Sequence, residues 1–247
     1  MASLTWAVVL LAGLTCTHAH ALGDPIPIHS LPSIAQIEFR LGSTWRQQCV
    51  GSIITNYHML TAAACVQVPI GRRIRVGSHE RAFGGLVRDV GIVSNHDSFG
   101  SNGNDGDMSV VRAASAWVFG STVQSIPIVT QNYVVPANFD VFVAGWGVTT
   151  QGGLVGDDRL HVAALKTKPI IECMSQHQGR VTTNMLCVGR VDRPGINFDP
   201  SDIGAPVIYS GHLVGVLSFG ASANNDELPA VSNAIGSYSD WIVKNVS

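Results

Sequence analysis

Charge is scarce in this chain. Asp, Glu, Lys and Arg make up 13% of its 247 residues and the formal net charge is -2. No basic surface is expected that would neutralise a phosphate backbone, and nucleic acid is excluded as a partner. Low-complexity tracts, Pro/Ser linkers and obvious repeats are missing too, so the chain reads as one domain rather than a string of modules. Beyond the N-terminus no run is long and apolar enough to be a membrane anchor. The C-x2-C spacing of many zinc sites does not occur, and His29, His79, His96, His161, His177 and His212 make no pattern that resembles a metal cluster. No cofactor is expected.

What is present begins with an apolar stretch, Leu4 to Thr15, "LTWAVVLLAGLT", followed by "CTHAHA". It is too short to span a bilayer, and Ala19-His20-Ala21 offers small residues where a signal peptidase reads. Residues 1–21 are read as a secretory signal and 22–247 as the mature domain. Removing the signal takes Cys16 and leaves Cys49, Cys65, Cys173 and Cys187 for an oxidising compartment. Four cysteines permit three pairings. Joining neighbours in sequence closes two short loops, each worth about 3 kcal/mol through restriction of the unfolded chain.

Runs rich in Val, Ile and Thr recur between turn residues: "GSIITNYHMLTAA", "RRIRVGS", "RDVGIVS", "DMSVVRAA", "FDVFVAGWG" and "APVIYSGHLVGVLSFG". With 26 glycines, this spacing argues for an all-β barrel or sandwich. "SGH" reads as a hairpin turn. Only the tail, "SYSDWIVKNV", has helical character, with Tyr238, Trp241 and Ile242 at i, i+3 and i+4. Asn245-Val246-Ser247 forms an N-x-S acceptor at the extreme end.

Several segments, in order, resemble the trypsin family of serine proteases. "CVGSIITNYHMLTAAAC" is similar to the family's C-G-G-S-I-x5-L-T-A-A-H-C, "NDGDMSVVR" to D-x-D-I-A-L-L-R, "VAGWG" to A-G-W-G, and "SDIGAPV" to G-D-S-G-G-P-L. "SYSDWI" is similar to its closing helix, and "PSIAQI", "RIRVGS" and "TTNMLC" resemble the insect branch. The resemblance implies an all-β fold of two six-stranded antiparallel barrels with a C-terminal helix.

It also implies a catalytic unit in which a serine attacks the peptide carbonyl, a histidine takes its proton and an aspartate orients the imidazole. Here those places hold Ile203, Ala64 and Asp107. Isoleucine cannot attack and alanine cannot accept a proton, so only the orienting residue remains. In subtilisin, losing the serine or the histidine alone costs on the order of 10⁶ in rate. Ser201 and Ala205 stand where the family has glycines, and the expectation is a strained turn and a misshapen oxyanion hole. His58, six residues before Ala64, is expected to be structural.

Specificity in the family depends on a residue that falls on Asn197, which offers no full negative charge for a Lys or Arg substrate. A family disulfide near that pocket is missing, with Asp199 at its first cysteine. "SFG", Ser218 to Gly220, resembles the family's S-W-G edge for an extended peptide, so Asn197, Ser218 and Gly220 mark a vestigial specificity pocket. The activation terminus I-V-G-G is missing, and Asp202 is expected to be either solvated or paired with a terminus near Leu22. The resemblance thus implies a secreted, noncatalytic homologue with a protein or peptide partner. Such relatives serve as cofactors, decoys or scaffolds in extracellular protease cascades and innate immunity. The competing expectation is a weak or non-standard endopeptidase.

Overall fold

The computed structural model describes residues 23–101, 104–147, 158–190, 200–220 and 228–247. After a two-residue strand, β1 (Asp24–Pro25), come β2 (Ile34–Leu41), β3 (Thr44–Ile53), β4 (His58–Thr61), β5 (Arg72–Val76), β6 (Leu86–Asn95) and β7 (Ser109–Ala113). Strands β2 to β7 pair antiparallel in the closed order β2-β3-β4-β7-β6-β5. A second set follows: β8 (Asp140–Gly145), β9 (His161–Lys168), β10 (Met185–Gly189), β11 (Pro206–Tyr209), β12 (His212–Phe219) and β13 (Ala230–Ala234). It closes in the order β8-β9-β10-β13-β12-β11, with β11 returning to β8 at Val207↔Val143 and Ile208↔Phe142. β1 adds to β9 through Asp24↔Val162. Two six-stranded barrels are therefore present, as the resemblance implies, and closure leaves few open sheet edges.

The strands form because their side chains alternate. In β9, His161, Ala163, Leu165 and Thr167 are buried while their neighbours face outward, the period-two pattern of a sheet with one dry face. Ile37, Ile53, Leu60 and Ile74 are buried from the first barrel, and Val143, Leu165, Val188 and Val216 from the second. Each such side chain contributes about 1.5–3 kcal/mol by leaving water. The expected hairpin joins β11 to β12: Ser210 and Gly211 have φ of 48° and 78°, the paired positive values of a type I′ turn.

Two α-helices complete the described residues, α1 (Ile170–Gln176) and α2 (Ile235–Val246). In α2, Ile235, Tyr238, Ser239 and Ile242 are buried, one stripe at i, i+3, i+4 and i+7. Helix α1 corrects the expectation that only the tail is helical. Its seven residues bury a single side chain, Cys173, too little to print a helical period. Tertiary contact holds it instead, through the disulfide from Cys173 to Cys187 on β10. The other bridge joins Cys49 to Cys65. Of the three pairings open to the sequence, the structure uses the one between sequence neighbours. Residues 1–21, read as a signal, lie outside the described residues. Among the described residues no helix is long and apolar enough to cross a membrane.

Candidate functional site

Asp107 lies in the turn leading into β7 and is completely buried. Ala64, in the short 3-10 turn Ala63–Cys65, donates its backbone N–H to Asp107 Oδ1 at 2.8 Å. From the opposite barrel Ser218, on β12, donates its hydroxyl to Asp107 Oδ2 at 2.5 Å. Burial pushes the Asp107 carboxyl above its ordinary value. The Ser218 hydroxyl and the Ala64 and Ala63 amides pull the other way by favouring the charged form. The carboxylate thus sits where both barrels meet, on donors that do not depend on an imidazole. Ser218, expected beside a specificity pocket, spends its side chain on Asp107.

Ile203 occupies the turn between the 3-10 helix Pro200–Asp202 and β11. Its side chain is half-buried and packs on the main core. Its carbonyl accepts from Val50 N–H on β3 at 2.9 Å, tying the loop to the first barrel. Gly204, next in line, has φ of 86°, and a Cβ there would stand 2.1 Å from the Val50 carbonyl oxygen. Glycine is obligatory at that position.

The expected strain at Ser201 and Ala205 is not found. Neither has a positive φ, and Ala205 is fully buried, with its carbonyl accepting from Leu217 at 2.9 Å. Alanine is tolerated because its backbone lies in a conformation open to any residue. The loop is wound locally: the Ile203 N–H donates to the Pro200 carbonyl at 3.3 Å. The Ile203 amide is thus turned back into its own loop.

Asp202 corrects a second expectation. It is 2% exposed, so it is not solvated. Its Oδ1 accepts from Gly147 N–H at 2.9 Å. At Gly145 a Cβ would fall 2.3 Å from the same oxygen, which gives the first glycine of "AGWG" a physical reason. The proposed terminal partner near Leu22 lies outside the described residues, as do Asn197 and Asp199.

His58 sits at the far end of β4, opposite Arg112, while Thr61 at the near end pairs with Ser109 beside Asp107. Three residue steps separate these ends, about 10 Å. His58 Nδ1 meets the Thr55 hydroxyl at 2.9 Å, and burial, then the nearby Arg112, lowers its pKa. It serves a turn, not the site. Gly220 follows β12, whose pairing with β11 ends at Val216; Ser218 to Gly220 therefore run past β11. Phe219, in the place of the family's tryptophan, is anchored edge-on against His177 with ring centroids 5.5 Å apart.

Sequence reasoning missed Gln47. This buried side chain donates to the Ser201 carbonyl at 2.8 Å and accepts from Arg81 at 3.0 Å, so it steadies the loop from β3. No sequence pattern marks a contact between residues 154 positions apart. Among the described residues no group of three or more His, Cys, Asp or Glu side chains is placed to hold a metal ion.

Comparison with known proteins places this geometry. The family model described as Trypsin matches residues 22–242. Alkaline trypsin C of Manduca sexta is 33% identical over 229 residues, covering 90% of this chain and 89% of the relative. The vitellin-degrading protease of Bombyx mori is 28% identical, covering 91% and 84%. Among solved structures, neuropsin, a serine protease expressed in the limbic system of mouse brain, superposes with a TM-score of 0.80 at 25% identity, covering 91% of this chain and 99% of its own. With its two closed barrels, its buried Asp107 and a family match over residues 22–242, the chain belongs to the trypsin family.

Proposed function

We propose that this protein is a secreted, noncatalytic member of the family that works by binding a protein or peptide. The observation that carries the reading is the pair of residues at the reacting positions. Peptide hydrolysis by this unit needs a nucleophile whose proton passes to a base. Ala64 and Ile203 supply neither; the Asp107 carboxylate accepts from the Ala64 amide and the Ser218 hydroxyl. The Ile203 amide hydrogen-bonded to Pro200 removes a further source of transition-state stabilisation. What remains suits recognition: rigid barrels and the Ser218 to Gly220 stretch that runs past β11. A cofactor, decoy or scaffold role in an extracellular protease or immune pathway follows by analogy with inactive relatives.

A second reading is a weak or non-standard endopeptidase, and the names of the relatives favour it: alkaline trypsins and a vitellin-degrading protease. The two readings separate in a broad peptide library incubated with the purified protein and read by mass spectrometry. Our proposal predicts no new cleavage products above a protein-free control. Products that accumulate with enzyme concentration would establish the endopeptidase.

A further inference from the structure

The reacting positions lie at one end of the second barrel, where β8 finishes at Gly145, β12 finishes at Phe219 and β11 starts at Pro206. At the opposite end β9 finishes at Lys168, β10 starts at Met185 and β13 finishes at Ala234. That end opens into a cavity of about 230 Å³. Val135, Ile170, Met185, Leu186 and Val214 give it an aliphatic lining. Residues 133–137 form one wall, and it is tied down at both ends. The Thr167 hydroxyl donates to the Pro136 carbonyl at 2.6 Å, and the Tyr133 carbonyl oxygen lies so close to α2 that a Cβ at Gly236 would stand 2.0 Å from it.

The polar groups of the cavity are of one electrostatic kind. Lys168 brings an ammonium, Tyr133, Thr183 and Ser237 bring hydroxyls, and no Asp or Glu lines it among the described residues. Lys168 Nζ donates to the Arg190 carbonyl at 2.8 Å, which uses one of the three N–H donors of an ammonium. It meets no carboxylate among the described residues, and the Asp140 carboxylate on β8 is taken by Lys166 at 2.7 Å. The Thr183 and Ser237 hydroxyls make no hydrogen bond among the described residues.

We propose that this cavity binds a medium-chain aliphatic carboxylate, with its tail among the aliphatic side chains and its head on Lys168. A lone cation beside an apolar cavity is complementary to an anion with an apolar body, and the mouth of a β-barrel is a common place for such a site. A carboxylate accepts strong, charge-assisted hydrogen bonds from an ammonium, and the free hydroxyls add further donors. An apolar cavity of about 150 Å³ holds a benzene ring, so this one has room for a chain of about six to eight carbons. The site is separate from the degenerate centre: Val214 and Ser218 stand four residues apart on β12, about 13 Å. It holds whether or not the reacting positions cleave.

The test is isothermal titration of the secreted protein with straight-chain carboxylates from butanoate to dodecanoate. The expected result is one site per chain, with affinity rising about four-fold per added methylene as far as octanoate and no further by dodecanoate, where the cavity is full. Lys168→Met should weaken octanoate about ten-fold or more and leave octanol unchanged, while Lys168→Arg keeps octanoate binding. Ala137→Phe, which puts a ring into the mouth, should abolish both ligands. Matching thermal melts show that the variants fold. No saturable binding, octanoate binding unchanged in Lys168→Met or retained in Ala137→Phe, or affinity that keeps rising to dodecanoate as in surface adsorption would each overturn the proposal. None of these readouts involves cleavage, so they stand apart from the library experiment.

Discussion

Ala64 and Asp107 stay in direct contact without an imidazole: the Ala64 backbone N–H reaches Asp107 Oδ1 at 2.8 Å. The Asp107 carboxylate is held by a backbone amide from one barrel and a hydroxyl from the other. A carboxylate buried there carries a desolvation cost with no cationic partner formed during a reaction, and burial raises its pKa. The folded state then holds the Asp107 proton more tightly than the unfolded chain. Stability falls as pH rises from the unfolded value, about 3.8, through the higher folded value. Asp107→Asn should remove that decline, and denaturant melts across the acid range check it. A variant with the wild-type pH profile would contradict the assignment.

His177 acts in the opposite direction. It is 5% exposed and its Nε2–H donates to the Pro229 carbonyl at 2.9 Å. Burial lowers its pKa, with the Pro229 carbonyl opposing and Arg180 assisting. Its neutral form stabilises the fold above the unfolded value of about 6.5, and that contribution is lost as pH falls through the lower folded value. His177→Gln should flatten the loss of stability below about pH 6.5, measured by thermal melts at matched ionic strength.

Much of this was legible in the sequence. Val/Ile runs located strands and "SGH" located a hairpin. The parts that were not legible depend on distant groups. Helix α1 is fixed by a disulfide rather than by periodicity, and Gln47 meets the Ser201 carbonyl across the barrels. The glycine replacement at Ala205 suggested strain, but only the backbone angle decides that, and Gly204 is the residue that needs a positive φ.

Gly204→Ala should therefore destabilise the protein by about 2–4 kcal/mol, since a methyl group there meets the Val50 carbonyl and the Thr61 hydroxyl. Urea unfolding gives the number. Ala205→Gly, one residue away, should cost at most about 1 kcal/mol.

Glu38→Gln leaves the buried Arg75 without its counter-charge. The expected loss is about 3–5 kcal/mol. A change under about 1 kcal/mol in the same urea experiment would show that the pair is solvated.

The most direct test of a noncatalytic centre is intact-mass spectrometry of the secreted protein after prolonged exposure to a fluorophosphonate probe, with an active trypsin alongside. The account predicts an unmodified mass, because Ile203 offers no nucleophile and Ala64 no base. A stoichiometric adduct at any serine would contradict it.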